Sequence, residues 1–101
     1  MIKERRVIDL NNYTDDDLLF DIVYGESLVI QVDGDANVTI TGKQTEAENY
    51  APIGLLSLAD FTTKTSITAS GLYSCDAQCI DKIKLEVEKA NSKVYVKVVG
   101  S

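Results

Sequence analysis

The chain has no His and no Trp, one Pro, one Met and two Cys among its 101 residues. Each shortage closes a class of function. Without His there is no Ser-His-Asp or Cys-His pair, no imidazole ligand for zinc, and no side chain whose unperturbed pKa lies near neutrality. Ordinary acid–base enzymes are disfavoured, and no catalytic residue, metal ligand or cofactor site is assigned. Cys75 and Cys79 fall short of a zinc site, which needs two further soft ligands where the chain has no third Cys. Four residues apart in one continuous strand, their Cα atoms would lie ~13 Å from each other, beyond disulfide reach. Free thiols are expected, Cys75 as a small buried apolar residue. The 16 carboxylates could in principle supply a glycosidase pair, but a small domain without Trp offers little aromatic-lined cleft. No apolar run approaches the ~18 residues of a membrane span, and Val7-Ile8 is broken at once by Asp9. The expectation is a soluble chain without an export signal, made in the cytoplasm.

Charge is unevenly placed. The net charge is −6, yet residues 1 to 78 carry five basic and thirteen acidic residues, whereas residues 79 to 101 carry five Lys against three acids. An acidic balance argues against nucleic acid, because phosphate backbones are repelled. The early basic cluster is Lys3, Arg5 and Arg6, interrupted by Glu4. The late one spans Lys82, Lys84, Lys89, Lys93 and Lys97, and predicts a mildly basic strand face that meets an acidic neighbour or simply keeps a strand soluble.

Period-two alternation recurs along the chain, and no helical 3.6 pattern holds for three turns. Strands are expected at residues 5 to 10, over Asp17 to Val23, and as a hairpin of SLVIQVD with NVTITGK joined at Asp33-Gly34-Asp35-Ala36. Residues 45 to 54 read as a polar loop ending near Pro52, residues 55 to 61 as loop or short strand, and residues 62 to 68 as a polar edge. Along residues 72 to 79, Tyr73, Cys75 and Ala77 share one face. A terminal hairpin would place Ile83, Leu85 and Val87 inward beside Val94, Val96 and Val98. Cross-strand charge favours its register with Glu86 opposite Lys97 rather than Lys84 opposite Lys97. Seven or eight short strands at this spacing in about 100 residues outline one all-β domain over residues 1–101, an antiparallel β-sandwich of immunoglobulin-like or jelly-roll-like form.

The spacing Asp33-x-Asp35-x-Asn37 opens like a calcium loop, but Val38 stands where Gly is needed and Gln44 where a bidentate Glu belongs. A turn explains the same residues. Tyr50, in the polar loop, and Tyr95, on an outer strand face, are candidates to anchor a protein contact or stack on a sugar. Tyr73 is expected in the core.

The order of segments NVTITGKQ, ENYAPIG, SITASGLYSCDA, KIKLEV and KVYVKVVG, within residues 27 to 100, resembles small β-sandwich structural proteins of tailed bacteriophages. The likeness is strongest to auxiliary or decoration capsid proteins of crAss-like phages and to related head-fibre and tail modules. It rests on Tyr50-Ala51-Pro52-Ile53, Gly71-Leu72-Tyr73 and the run Lys82 to Val99. The chain departs from that pattern at Tyr50, where Trp is common, and in its Cys pair. The resemblance implies a non-enzymatic virion protein, made in the host cytoplasm, that needs no cofactor and docks in multiple copies on the major capsid protein or another virion protein through an interface of ~1,600 Å². Neither nucleic acid nor membrane is an implied partner. Residues 1–10, as a strand or arm bearing Lys3, Arg5 and Arg6, and the basic face with Lys84, Tyr95 and Lys97 are the candidate contacts, together with Tyr50. The alternative is a carbohydrate- or receptor-binding module of a phage tail or cell surface, which needs an exposed aromatic platform.

Overall fold

The alternating stretches become strands whose apolar phase closes one core. The computed structural model describes residues 1–23, 25–76 and 80–100. Its elements are β1 (Ile2–Asp9), a 3-10 turn (Asp15–Leu18), β2 (Leu19–Asp21), β3 (Ser27–Asp33), β4 (Val38–Lys43), β5 (Ala51–Pro52), β6 (Leu55–Ser57), β7 (Thr63–Lys64), β8 (Ser66–Ile67), β9 (Gly71–Asp76), β10 (Lys82–Val87) and β11 (Lys93–Val99). A six-stranded sheet runs β1-β11-β3-β9-β6-β7 and a five-stranded sheet β2-β10-β4-β5, with β8 also on β4. Every pairing is antiparallel. The radius of gyration of 12.6 Å matches the ~13 Å expected for this length. Inward-facing Ile8, Leu28, Ile30, Val32, Tyr73, Val94 and Val96 of one sheet meet Phe20, Val38, Ile40, Ile67, Ile83 and Leu85 of the other, all at 4% exposure or less. Each aliphatic side chain so buried contributes about 1.5–3 kcal/mol.

The all-β sandwich is as the sequence indicates, with corrections in detail. Eleven strands replace seven or eight, because β5, β7 and β8 are two-residue pairings too short to show a period. Asp17 to Val23 is not one strand. Asp15–Leu18 is a 3-10 turn, with the Thr14 N–H bonded to the Asp17 carboxylate at 2.9 Å, and only Leu19–Asp21 pairs.

The larger correction concerns the two expected hairpins, neither of which forms. β3 and β4 lie in different sheets, as do β10 and β11. Lys84 pairs with Thr41 and Leu19, Glu86 with Thr39, and Lys97 with Arg5 and Val29. Alternation places one face of each strand inward whether two strands lie side by side or across the core from each other, so it cannot separate a hairpin from a crossover. The basic face expected on the terminal hairpin is accordingly split, with Lys82 and Lys84 on one side of the sandwich and Lys93 and Lys97 on the other.

The two crossovers, at residues 34–37 and 88–92, are locked together. Buried Ser92 donates its hydroxyl to the Asp35 carbonyl, and Asn37 Nδ2 donates to Glu88 at 3.1 Å. Leu10 ties the turn after β1 to the same corner, its N–H bonded to Ser92 O and its carbonyl to the Ala90 N–H. Gly34 is required here. Its φ is +105°, and a Cβ would sit 2.7 Å from Ser92 Oγ. The Asp-x-Asp-x-Asn spacing therefore serves a corner.

Tyr73 is buried and donates to Ala69 O at 2.9 Å. Cys75 is a buried free thiol, pushed up to about 11 by burial and by neighbouring Asp76. Ala77 and Cys79, and with them the second expected thiol, lie outside the described residues. Every buried side-chain nitrogen and oxygen among the described residues has a hydrogen-bond partner.

Candidate functional site

The outer face of the six-stranded sheet is built from the strand positions that point away from the core. The pairings align them in two rows. One row runs Val7, Tyr95, Gln31, Leu72, and is extended by Leu58, whose N–H bonds Leu72 O at 2.9 Å. The adjacent row runs Arg5, Lys97, Val29, Ser74, Leu56. Five of the ten exposed large apolar side chains of the described residues fall in these two rows: Val7, Leu56, Leu58, Leu72 and Tyr95. Val7 is 60% exposed and Leu72 45%. Between the rows lies an open groove of about 250 Å³, lined by Arg5, Val7, Val29, Leu72, Tyr95 and Lys97 among others.

Beyond Leu58 the β6–β7 loop carries Phe61, 73% exposed and held at φ +58°. The loop is tied by Phe61 N to Ser57 O at 2.8 Å and by the Asp60 carboxylate, which accepts from the Thr62 hydroxyl at 2.7 Å and its N–H at 3.1 Å. Those bonds hold the Asp60 carboxyl below its ordinary value. A bulky residue in the left-handed region is strained, and such strain persists only where the surroundings impose it.

The candidate contacts separate into distinct environments. Residues 1–10 are not a free arm: Ile2–Asp9 is the edge strand beside β11. Arg5, Tyr95 and Lys97 are brought together in the outer rows. Lys3 is bound instead to buried Glu26 at 2.6 Å, and Glu26 also accepts the Val23 N–H at 2.7 Å. The Lys3 ammonium foremost, then that N–H, hold the Glu26 carboxyl below its ordinary 4.5 against the opposing effect of burial. Arg6 points to the opposite side of β1, where its guanidinium lies 4.0 Å from the Phe20 ring centroid. It pairs with Glu4 and donates to the carbonyls of Asp17 at 3.0 Å and Leu19 at 2.7 Å. Its geometry clamps the two sheets at their common edge.

Tyr50 and Lys84 lie on the five-stranded side. The Tyr50 ring is half-buried, with Lys43 Nζ 5.3 Å and Lys84 Nζ 6.0 Å from its centroid. Nearby charges are internally matched. Lys82 pairs with Asp21 at 2.8 Å, which raises the Lys82 pKa, and Asp81 accepts the Thr45 N–H at 2.7 Å and hydroxyl at 3.0 Å, which lowers its own.

Sequence reasoning missed Val7, Val29, Leu56, Leu58, Leu72 and Phe61 as surface residues. A signal for several was present: Val7, Val29, Leu72 and Tyr95 each sit out of phase with the buried set of their own strand. Among the described residues no group of three or more Cys, Asp or Glu is placed to hold a metal ion, and no helix is long and apolar enough to cross a membrane.

No protein-family model and no curated protein matches the chain by sequence. Among solved structures, the chain is similar in fold to the SPBc2 prophage-derived protein YomS, with a TM-score of 0.67 at 11% sequence identity over 95% of this chain and 94% of that one. The two therefore share a β-sandwich over nearly their whole lengths, and the solved example comes from a prophage.

Proposed function

We propose that the chain is a non-enzymatic structural protein of a phage virion, an auxiliary or decoration capsid protein that docks on the major capsid protein and stabilises the shell. The observation that carries this reading is the pair of outer rows on the six-stranded sheet. Apolar side chains gathered on one exposed face mark an interaction surface, whereas scattered ones do not. Strands β1, β11, β3 and β9, of six to eight residues each, together with the short β6 and β7, span on the order of 500 Å² at ~4.8 Å between strands and ~3.3 Å per residue, before side-chain relief. That is the scale of the ~800 Å² per partner of a standard interface. Whole-chain likeness to the fold of a prophage-derived protein supports the setting. Repetition over a lattice would let a modest contact per copy reinforce the shell by avidity.

The reading places the chain in the virion in many copies, with no cofactor, nucleic acid or membrane partner. Mass spectrometry of purified particles should find it in stoichiometric, symmetric amounts, and a cryo-EM map should show the outer face of β1, β11, β3 and β9 against a capsid subunit. Particles that lack it reject the reading. A carbohydrate- or receptor-binding role draws on Tyr95, whose exposed ring flanks Gln31 beside the groove. The other candidate aromatic, Tyr50, lies on the opposite sheet under two Lys, so the pair makes no common platform. Glycan-array binding abolished by Tyr95→Ala would favour that second reading.

A further inference from the structure

Arg5 and Lys97 stand directly opposite each other on β1 and β11, both exposed and on the same face. Like charges in this position destabilise a strand pair. Their same-face neighbours along and across the strands include Val7, Tyr95, Val29 and Val99, none of them acidic, while the Glu26 carboxylate nearby is taken by Lys3, two residues before Arg5. Among the described residues neither cation has an ion-pair partner, although Lys3, Arg6 and Lys82 each do. Of the acids on the same strands, Glu4 is engaged by Arg6, and Asp9 is four residues along β1 from Arg5, ~13 Å away. In a chain of net charge −6, an unrelieved basic pair beside an apolar groove is a local conflict that a bound anion would resolve.

We propose that Arg5 and Lys97 together receive a carboxylate side chain of a partner protein, while the apolar residues flanking that carboxylate lie along Val7, Tyr95, Val29 and Leu72. The proposal rests on the docking reading above and names the partner's chemistry: an acidic segment with apolar residues beside the acid. Arg supplies a planar fork for a carboxylate and Lys a mobile point charge, so the two can grip one group from adjacent strands. A second copy docked face to face would bring two such basic pairs together, so the occupant is a different chain. Asp9 and Asp33 flank Lys93 in the next row, and with the acidic body they disfavour a polyphosphate.

Charge reversal separates docking from folding, because it moves the two in opposite directions. Arg5→Glu or Lys97→Glu converts the like-charge pair into an ion pair, which should raise the Tm by about 1–5 °C. The double variant Arg5→Glu/Lys97→Glu restores a like-charge pair and should lose that gain. The probes are synthetic peptides alternating Glu with Leu and Phe, and their Gln counterparts, titrated into the full chain by amide-shift NMR.

The Glu peptides should shift residues 5, 7, 29, 72, 95 and 97, and bind at least about tenfold more tightly than the Gln peptides, with the difference lost in either single variant and reduced by salt. Equal binding of Glu and Gln peptides, shifts confined to another face, tighter binding of an oligonucleotide at these residues, or self-association abolished by Arg5→Glu would each overturn the proposal. Failure of the virion reading looks different. The chain would be absent from particles while the Glu peptides still bind; conversely, Arg5→Glu protein incorporated at wild-type levels leaves the virion reading standing and rejects the carboxylate site.

Discussion

The two outer faces of the sandwich have been resolved in opposite ways. The five-stranded face closes its own accounts: Lys82 on Asp21, Asp81 on Thr45, Thr39 on Ser66, and Lys43 and Lys84 over Tyr50. The six-stranded face leaves Val7, Leu72 and Tyr95 in water and Arg5 opposite Lys97. Both faces belong to one fold with one core, so core packing does not account for the difference. A surface kept apolar and electrostatically unrelieved beside one whose Lys43, Lys82 and Lys84 are all engaged is what the proposed docking side and a solvent side would look like in the same small domain.

That contrast can be broken in several ways. The largest effect should come from the shared core, where Ile30→Ala in the six-stranded sheet and Leu85→Ala in the five-stranded sheet should each cost about 2–5 kcal/mol in urea unfolding. A large loss from only one of them would show that the sheets do not share a core, and the comparison of their outer faces would lose its basis. Next, Gly34→Ala should cost about 1–3 kcal/mol, from its positive φ and the approach of Ser92 to the crossover corner. A neutral result would mean that the corner relaxes and the two crossovers are not locked together.

The Lys3–Glu26 pair sharpens the contrast by showing a cation of β1 that the fold does use. The Glu26 carboxyl titrates lower when folded than unfolded, so its contribution is fully present above the unfolded value of about 4.5 and is lost as pH falls through the lower folded value. Melting temperature should therefore drop with acidification below about pH 5 more steeply in the wild type than in Glu26→Gln. Parallel profiles would remove Lys3 from the structural set and return it to the docking face.

The smallest effects belong to the outer rows. Leu72→Ser should change stability by no more than about 0.5 kcal/mol in urea unfolding while weakening the docking proposed for this face. Phe61→Asn, which tolerates the left-handed backbone better, should be neutral or stabilising by about 0.5 kcal/mol. A marked loss of stability from Leu72→Ser would reveal a packing role and weaken the distinction between the faces.

Much of the contrast can be read along the chain once phase is considered. In the strands of the six-stranded sheet the residues out of step with the core are often apolar, as at Val7, Val29, Leu72 and Tyr95. In β4 and β10 the outward positions include Thr39, Lys84 and Glu86. What could not be read is which out-of-phase residues share a face, because that depends on strand neighbours distant in sequence. Arg5 and Lys97 are brought opposite each other only by the β1–β11 pairing, and Lys84 and Lys97, expected on one hairpin, emerge on opposite sides of the molecule.

Alternating hydrophobicity, turn residues and the absence of His determined by themselves that this is an all-β sandwich without imidazole chemistry, because inward burial at every second residue is a local property of a strand. Tertiary structure alone decided that β3–β4 and β10–β11 cross between sheets, that Lys3 and Arg6 are engaged within the fold, and that Arg5, Lys97, Tyr95 and Leu72 share one surface. The inward-pointing pattern is satisfied equally by a neighbour in the same sheet or a partner across the core. Only the competition among all strands for antiparallel partners, and the space available at corners such as Gly34 and Ser92, selects between them.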